Sequence, residues 1–239
     1  MKYTSRILFI ILTIILATSC GDDTTAPSNA TLPYFTINDG NVWYYNSIII
    51  RNGVDSLNRK YKESILEPSI IEGKNCFKYY ITEEGEEHNS SDYTYTRTDE
   101  DGYYIFFDTF YESERLTIDK LTNVWVKYID FKQDNWTQFD INIDTLYANN
   151  ERQRIYFNIS GSTIKSEDVK YKGIVYPSFK TIFKMTIEDT LSINEEIISI
   201  YNEISGLEIT SINGIGIYKS RFMYNGEISN SYKILTDHK

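Results

Sequence analysis

Between Phe139 and Asp144 the chain reads Phe-Asp-Ile-Asn-Ile-Asp, with apolar and polar residues alternating at a period of two. Successive side chains of a β-strand point to opposite faces, so such a segment buries one face and wets the other. The stretch Phe179–Glu188 repeats the pattern, with Phe179, Phe183, Met185 and Ile187 on one face and Lys180, Lys184 and Glu188 on the other. Both segments predict antiparallel strands lying with one face on a core. The run Gly102–Tyr111 (GYYIFFDTFY) is apolar in both phases, which predicts a strand covered on each side.

The turn chemistry agrees. Asn225-Gly226 separates two strand-like runs, and Asn-Gly favours the type I′ turn whose positive φ angles match the twist of a hairpin. A two-residue loop there sets Met223 opposite Ile228 and Ile217 opposite Ile234. One segment reads differently. In residues 192–206, Ser192 and Glu195 stand at capping-box spacing, Ile197, Tyr201 and Ile204 at helical spacing, and Gly206 at a C-cap position. These predict one short helix, although the isoleucines fit a strand equally well. The expected fold is thus mainly β, a single antiparallel sheet of roughly ten strands with one short helix.

The N-terminus has a separate logic. Lys2 and Arg6 precede an apolar run from Ile7 to Ala17, and small residues follow up to Cys20. A spanning helix needs about 20 apolar residues, so this run is too short to remain as an anchor and is expected to be cleaved. Leu16, Ala17, Thr18, Ser19 and Cys20 resemble the lipobox of bacterial lipoproteins. The resemblance implies a signal peptide over 1–19, a diacylglycerol on the Cys20 sulfur and an acylated Cys20 amine. The segment 20–31 (CGDDTTAPSNAT) then reads as a disordered, lipidated tether, and 32–239 as one β-rich domain. Asp22 and Asp23, close behind Cys20, resemble the surface-export signal of Bacteroidota lipoproteins. This implies attachment to the outer membrane with the domain facing outward, a periplasm-facing domain being the alternative.

Two short motifs bracket the domain. Gly40, Asn41 and Trp43 open it, and Gly214 and Gly216 precede the last hairpin. Together they resemble β-rich envelope lipoproteins of Bacteroidota-type bacteria, which implies a curved sheet similar to the half-barrels of lipoprotein carriers. The resemblance implies no activity. A weak internal echo pairs FTINDGNVWYY at Phe35 with LTIDKLTNVWVKY at Leu116, placing Trp43 and Trp125 each early in a strand.

Composition narrows the partners. Loss of Lys2 and Arg6 leaves 22 basic against 34 acidic residues, and no cluster of cations offsets the excess, so nucleic acid is excluded as a partner. Cys76 is then the only free thiol, in a strand-like setting that suits an inert buried residue. His88 lies in a polar loop and His238 next to the C-terminus, and neither stands in a nucleophile–base pair. No metalloprotease, hydrolase or phosphate-loop motif appears, and the acidic runs Glu83–His88 and Asp99–Gly102 lack the alternating spacing of a calcium loop. The expectation is a protein without catalytic residues, cofactor or metal, held at the membrane by Cys20, with a binding or structural role. Two specific forms of that role are open. Trp43, Tyr44, Tyr45, Tyr93 and Tyr95 would form an aromatic platform if the chain is a glycan-binding module. A lipid or lipoprotein carrier would instead need an apolar cavity inside the curved sheet.

The anchor is directly testable. A single myristoyl-length chain holds a protein only marginally, at about 0.8 kcal/mol per buried methylene, whereas two or three chains hold it stably. Cys20→Ser is expected to leave the membrane fraction or to stay uncleaved, as read by fractionation and mass spectrometry. Protease added to intact cells is expected to remove the wild-type domain, and Asp22→Ala with Asp23→Ala to protect it.

Overall fold

The computed structural model describes residues 34–84, 93–110 and 121–239, except for the side chain of Asn149. The segments read as signal peptide and tether, with Cys20, and His88 lie outside the described residues. The strands are Val42–Arg51 (β1), Val54–Ile71 (β2), Lys74–Glu83 (β3), Tyr93–Asp99 (β4), Gly102–Thr109 (β5), Thr122–Asp130 (β6) and Asn135–Leu146 (β7). They continue with Glu151–Lys165 (β8), Val169–Tyr171 (β9), Ile174–Tyr176 (β10), Ser178–Ile193 (β11), Glu196–Ile212 (β12), Gly216–Tyr224 (β13) and Glu227–His238 (β14). Twelve of them form one antiparallel sheet in the order β6-β5-β4-β3-β2-β1-β14-β13-β12-β11-β8-β7, nearly closed into a barrel. β9 and β10 form a separate two-stranded ribbon.

The alternating segments behave as the pattern requires. On β7, Ile141 is buried between exposed Asp140 and Asn142, and on β11 Phe179, Phe183 and Ile187 are buried. On β5, Tyr103 faces the barrel interior while Tyr104 and Phe106 are buried on the other face with Cys76 and Trp125. That outer cluster is roofed in part by Arg97, whose guanidinium lies 3.8 Å from the Tyr104 ring centre and 5.3 Å from that of Trp125. Cys76 is 2% exposed, and burial pushes its thiol pKa up. Trp43 and Trp125, matched in the internal echo, face opposite sides of the sheet.

Hairpin turns set the register. Asn52-Gly53, Glu72-Gly73, Lys172-Gly173, Asn194-Glu195 and Asn225-Gly226 all have both residues at positive φ, the type I′ signature. The Asn194-Glu195 turn replaces the helix expected over 192–206. Chain reversal occurs where the first helical turn would be, and Ile193 pairs with Glu196 across it. The Ser192 hydroxyl, read as a cap, instead donates to the Arg152 carbonyl on β8 at 3.3 Å. β-branched residues at 197, 198, 200 and 204 prefer this extended form, and their alternate sides pair along β11. Among the described residues there is no α-helix, and a 3-10 turn spans Ala148–Asn150.

In the last hairpin Met223 pairs with Ile228 as expected, but Ile234 pairs with Lys219 rather than Ile217. A bulge after Arg221 absorbs extra β14 residues, and Ser229 and Ser231 satisfy it by hydrogen-bonding each other's hydroxyls at 2.9 Å.

The barrel's seam lies between its edge strands β6 and β7, which a short turn connects. Asp130 holds that turn by accepting from the backbone N–H groups of Lys132 and Gln133. A bulge on β7 between Thr137 and Phe139 turns Gln138 toward β6. Its amide oxygen accepts from the Lys127 N–H at 2.7 Å, and its amide nitrogen donates to the Trp125 carbonyl at 2.5 Å. One side chain thus takes the place of a ladder rung where the sheet's two edges meet.

Gly226, at φ +80°, needs a conformation that a β-branched residue adopts only with strain. Gly226→Val is expected to destabilise the barrel by about 1–2 kcal/mol. Calorimetry should show Tm falling by about 2–4 °C per kcal/mol for a domain of this size.

Candidate functional site

Among the described residues the barrel is closed at one end and open at the other, the mouth. At the closed end Phe35 and Ile37 enter the core, and the β9–β10 ribbon folds across so that Tyr171 packs with Trp43, Ile212, Ile215 and Leu235. The two motifs read from the sequence meet here. The Trp43 indole N–H donates to the Ile215 carbonyl at 3.0 Å, between Gly214 and Gly216. Gly216 adopts φ +123°, which favours glycine, and faces the Trp43 indole. The Tyr171 hydroxyl and His238 Nδ1 share a hydrogen bond at 3.1 Å, so His238 serves as a tie between ribbon and barrel. Burial lowers the His238 pKa, and the nearby Lys172 ammonium lowers it further.

The interior is filled unevenly. On the β6, β7, β8 and β11 side, Val126, Trp136, Ile141, Phe157, Ile159 and Phe183 pack solidly, with Tyr128 stacked on Phe183 at 4.5 Å between ring centres. On the opposite side a cavity of about 380 Å³ remains. Its base holds Glu63, which is 5% exposed, ion-paired with Lys233 of β14. The Lys233 ammonium also lies 4.5 Å above the Tyr45 ring centre. Tyr45, Tyr79 and Tyr103 surround the pair. Burial, with the Glu63 carboxylate adding to it, pushes all three phenols above the ordinary tyrosine range. Burial alone brings Tyr128 up to about 12. These hydroxyls therefore stay neutral donors throughout the physiological range.

Ser47 of β1 and Ser220 of β13 each pair in register with Lys233, so β1, β14 and β13 present a Ser-Lys-Ser row to the cavity. Ser231 lies on the same wall. The apolar lining is interleaved with these polar residues: Ile81 pairs in register with Glu63 and Ile209 with Ser220, and Leu207 and Ile105 add to it. Ile81 and Phe222 line the cavity yet are 51% and 65% exposed, which shows that it opens at the mouth. Around that mouth Val54, Leu57, Ile197, Ile198, Tyr224 and Ile228 stand exposed. A larger hollow of about 750 Å³ between the β7–β8 and β11–β12 hairpins carries Arg152 and Arg154, both already paired with Asp144.

The five aromatic residues expected to form a platform do not share a face. Trp43 and Tyr45 are buried inside the barrel, at 7% and 2% exposure, because their places on β1 put them in phase with its inner side. Tyr44, between them, points outward. Tyr93 and Tyr95 lie together on the outside of β4, but their rings meet at 86°, and Tyr80 meets Tyr93 at 44°. Rings so inclined offer no common plane. What sequence reasoning missed was the pairing of Glu63 with Lys233, 170 residues apart. The only local hint is that Glu63 stands in phase with Tyr61 and Ile65 on one face of a strand. Among the described residues no group of three or more His, Cys, Asp or Glu side chains is placed to hold a metal ion.

No family model matches the chain, and no curated protein matches it. Two solved structures are similar. One, described as a lipoprotein of Parabacteroides distasonis, is 11% identical with a TM-score of 0.44, covering 87% of this chain and 99% of its own. The other, described as an exported protein with a YmcC-like fold from Bacteroides fragilis, is 12% identical with a TM-score of 0.35, again covering 87% and 99%. Both come from Bacteroidota, and neither description names a ligand or an activity.

The ion pair has an asymmetric energetic signature. Removing Lys233 strands a carboxylate that is 7% exposed, whereas removing the Glu63 charge leaves an ammonium that is 28% exposed and can turn to water. Lys233→Met is expected to lose roughly 3 kcal/mol in urea unfolding, and Glu63→Gln only about 1 kcal/mol. Equal losses would show that the two groups are solvated alike.

Proposed function

We propose that this chain is a lipid-anchored, non-catalytic protein of the outer membrane whose barrel holds a small ligand with an apolar body in its interior cavity. The observation that carries the reading is the cavity itself: about 380 Å³, lined by apolar and aromatic side chains with a few polar groups set among them, and open at one end among the described residues. Ligand sites are commonly concave hollows of roughly 300–1,000 Å³, mainly apolar with a few placed polar groups. The exposed isoleucines and aromatics at the rim give an apolar molecule a surface to contact on its way in.

The direction of the chain supports the same reading. Tyr34, the first described residue, sits at the closed end, where its carbonyl accepts from the Gly214 N–H at 2.9 Å. A tether from Cys20 therefore joins the domain at the end opposite the mouth. The domain faces outward from the cell in this proposal, on the resemblance of Asp22 and Asp23 to a surface-export signal.

N-phenylnaphthylamine, an uncharged dye that brightens in apolar surroundings, tests the cavity. The mature chain, Cys20–Lys239, made in the cytoplasm so that no lipid is added, is expected to bind it. Leu207→Trp, which puts a larger side chain into the cavity lining, is expected to weaken dye binding at least about ten-fold while circular dichroism stays that of the wild type. Unchanged brightening in Leu207→Trp would place the dye elsewhere.

A further inference from the structure

The charge inside the cavity restricts what it can hold. Resting on the cavity reading above, we propose that the site selects an uncharged amphiphile, an apolar chain ending in a hydroxyl, ester or amide, over a carboxylate or phosphate amphiphile. Glu63 and Lys233 are the only lining residues that carry charge near neutral pH, and they neutralise each other. A ligand carboxylate placed against Lys233 would share one ammonium with Glu63 and leave the interior with an unbalanced negative charge. Burying an unpaired charge is strongly unfavourable at low dielectric, so the site discriminates against it.

Three features add to this. Tyr61, Tyr79, Tyr103, Tyr128 and Tyr232 line the cavity and Tyr45 lies beside its base, so electron-rich rings surround the site, and Tyr45 already holds Lys233 over its face. The whole chain carries a formal net charge of −10, which repels anions at a distance. The Ser47–Lys233–Ser220 row offers what a neutral head requires. Two ammonium N–H groups not committed to Glu63 can donate to an ester or amide carbonyl, and the serine hydroxyls can both donate and accept.

Isothermal titration of the mature, unlipidated chain Cys20–Lys239 at pH 8, with probes below their critical micelle concentrations, separates the outcomes. The probes are 1-monolauroylglycerol and sodium laurate, which share a chain and differ in the charge of the head. The wild type is expected to bind the monoglyceride at least about ten-fold more tightly than laurate. Glu63→Gln frees the Lys233 charge and is expected to raise laurate affinity until the preference closes or reverses. Ser220→Lys, which adds a cation to the same row and keeps the native pair, is expected to act in the same direction and stands in if Glu63→Gln does not fold. Laurate bound by the wild type as tightly as the monoglyceride, or a preference unmoved in both variants, overturns the charge-selection proposal and leaves the cavity reading standing. If neither probe binds a wild-type chain with an intact thermal transition, the cavity reading fails, and this proposal with it.

Discussion

The barrel depends on the pairing of its first strand with its last. β1 and β14 run antiparallel, and at the closed end Val42 and Lys239 exchange both backbone hydrogen bonds, at 3.0 and 2.8 Å. Most other rungs of the sheet join strands that a hairpin already makes neighbours. The β1–β14 ladder instead joins the sub-sheet β1–β6 to the sub-sheet that ends in β7, across nearly the whole chain. Without it there would be two open sheets with exposed edges, each prone to pair with other chains. Closing so long a loop is entropically unfavourable, and the cluster around Trp43 supplies compensating burial at the point where the two halves meet. The second closure, at the β6–β7 seam, is lighter, because those strands are already tethered by a short turn and one glutamine spans the remaining gap.

Strand number explains why there is room for a ligand. Barrel diameter grows roughly linearly with the number of strands, and about eight strands already enclose as much as side chains can fill. Twelve strands enclose more. Here one side of the interior is filled by large residues such as Phe157, Phe183 and Trp136, and the other carries Ser47, Ser220 and Ser231 at positions where such residues would project. The void is therefore a product of residue size at three inward positions together with the width of the sheet. The buried ion pair belongs to the same economy of space. Glu63 and Lys233 occupy the base of the hollow, and each makes the presence of the other tolerable in a region ringed by tyrosine.

By itself, the amino-acid sequence determined what local physics can specify. The period-two alternation at 139–144 and 179–188 named the strands and their buried faces, because inward and outward positions follow from the pleat alone. Asn225-Gly226 named its turn, because few other residue pairs adopt two positive φ angles without strain. The double-faced run at 102–111 announced burial on both sides, as Tyr103 and Tyr104 show. Where two local signals competed, in residues 192–206, capping spacing pointed to a helix and β-branched isoleucines to a strand. Tertiary pairing with β11 decided, because nearly every extended residue there, Ile198 at a register shift excepted, gains a cross-strand partner that an isolated helix would lack. Only the tertiary structure set the rest. Bulges at Gln138 and after Arg221 shift registers by amounts that no local pattern encodes, and one residue of phase puts Trp43 inside the barrel and Tyr44 outside. The meeting of Glu63 with Lys233, and of both with Ser47 and Ser220, follows from which strands become neighbours when the sheet closes. Closure is a property of the whole chain, so the cavity and its charge balance could be read only from the folded barrel.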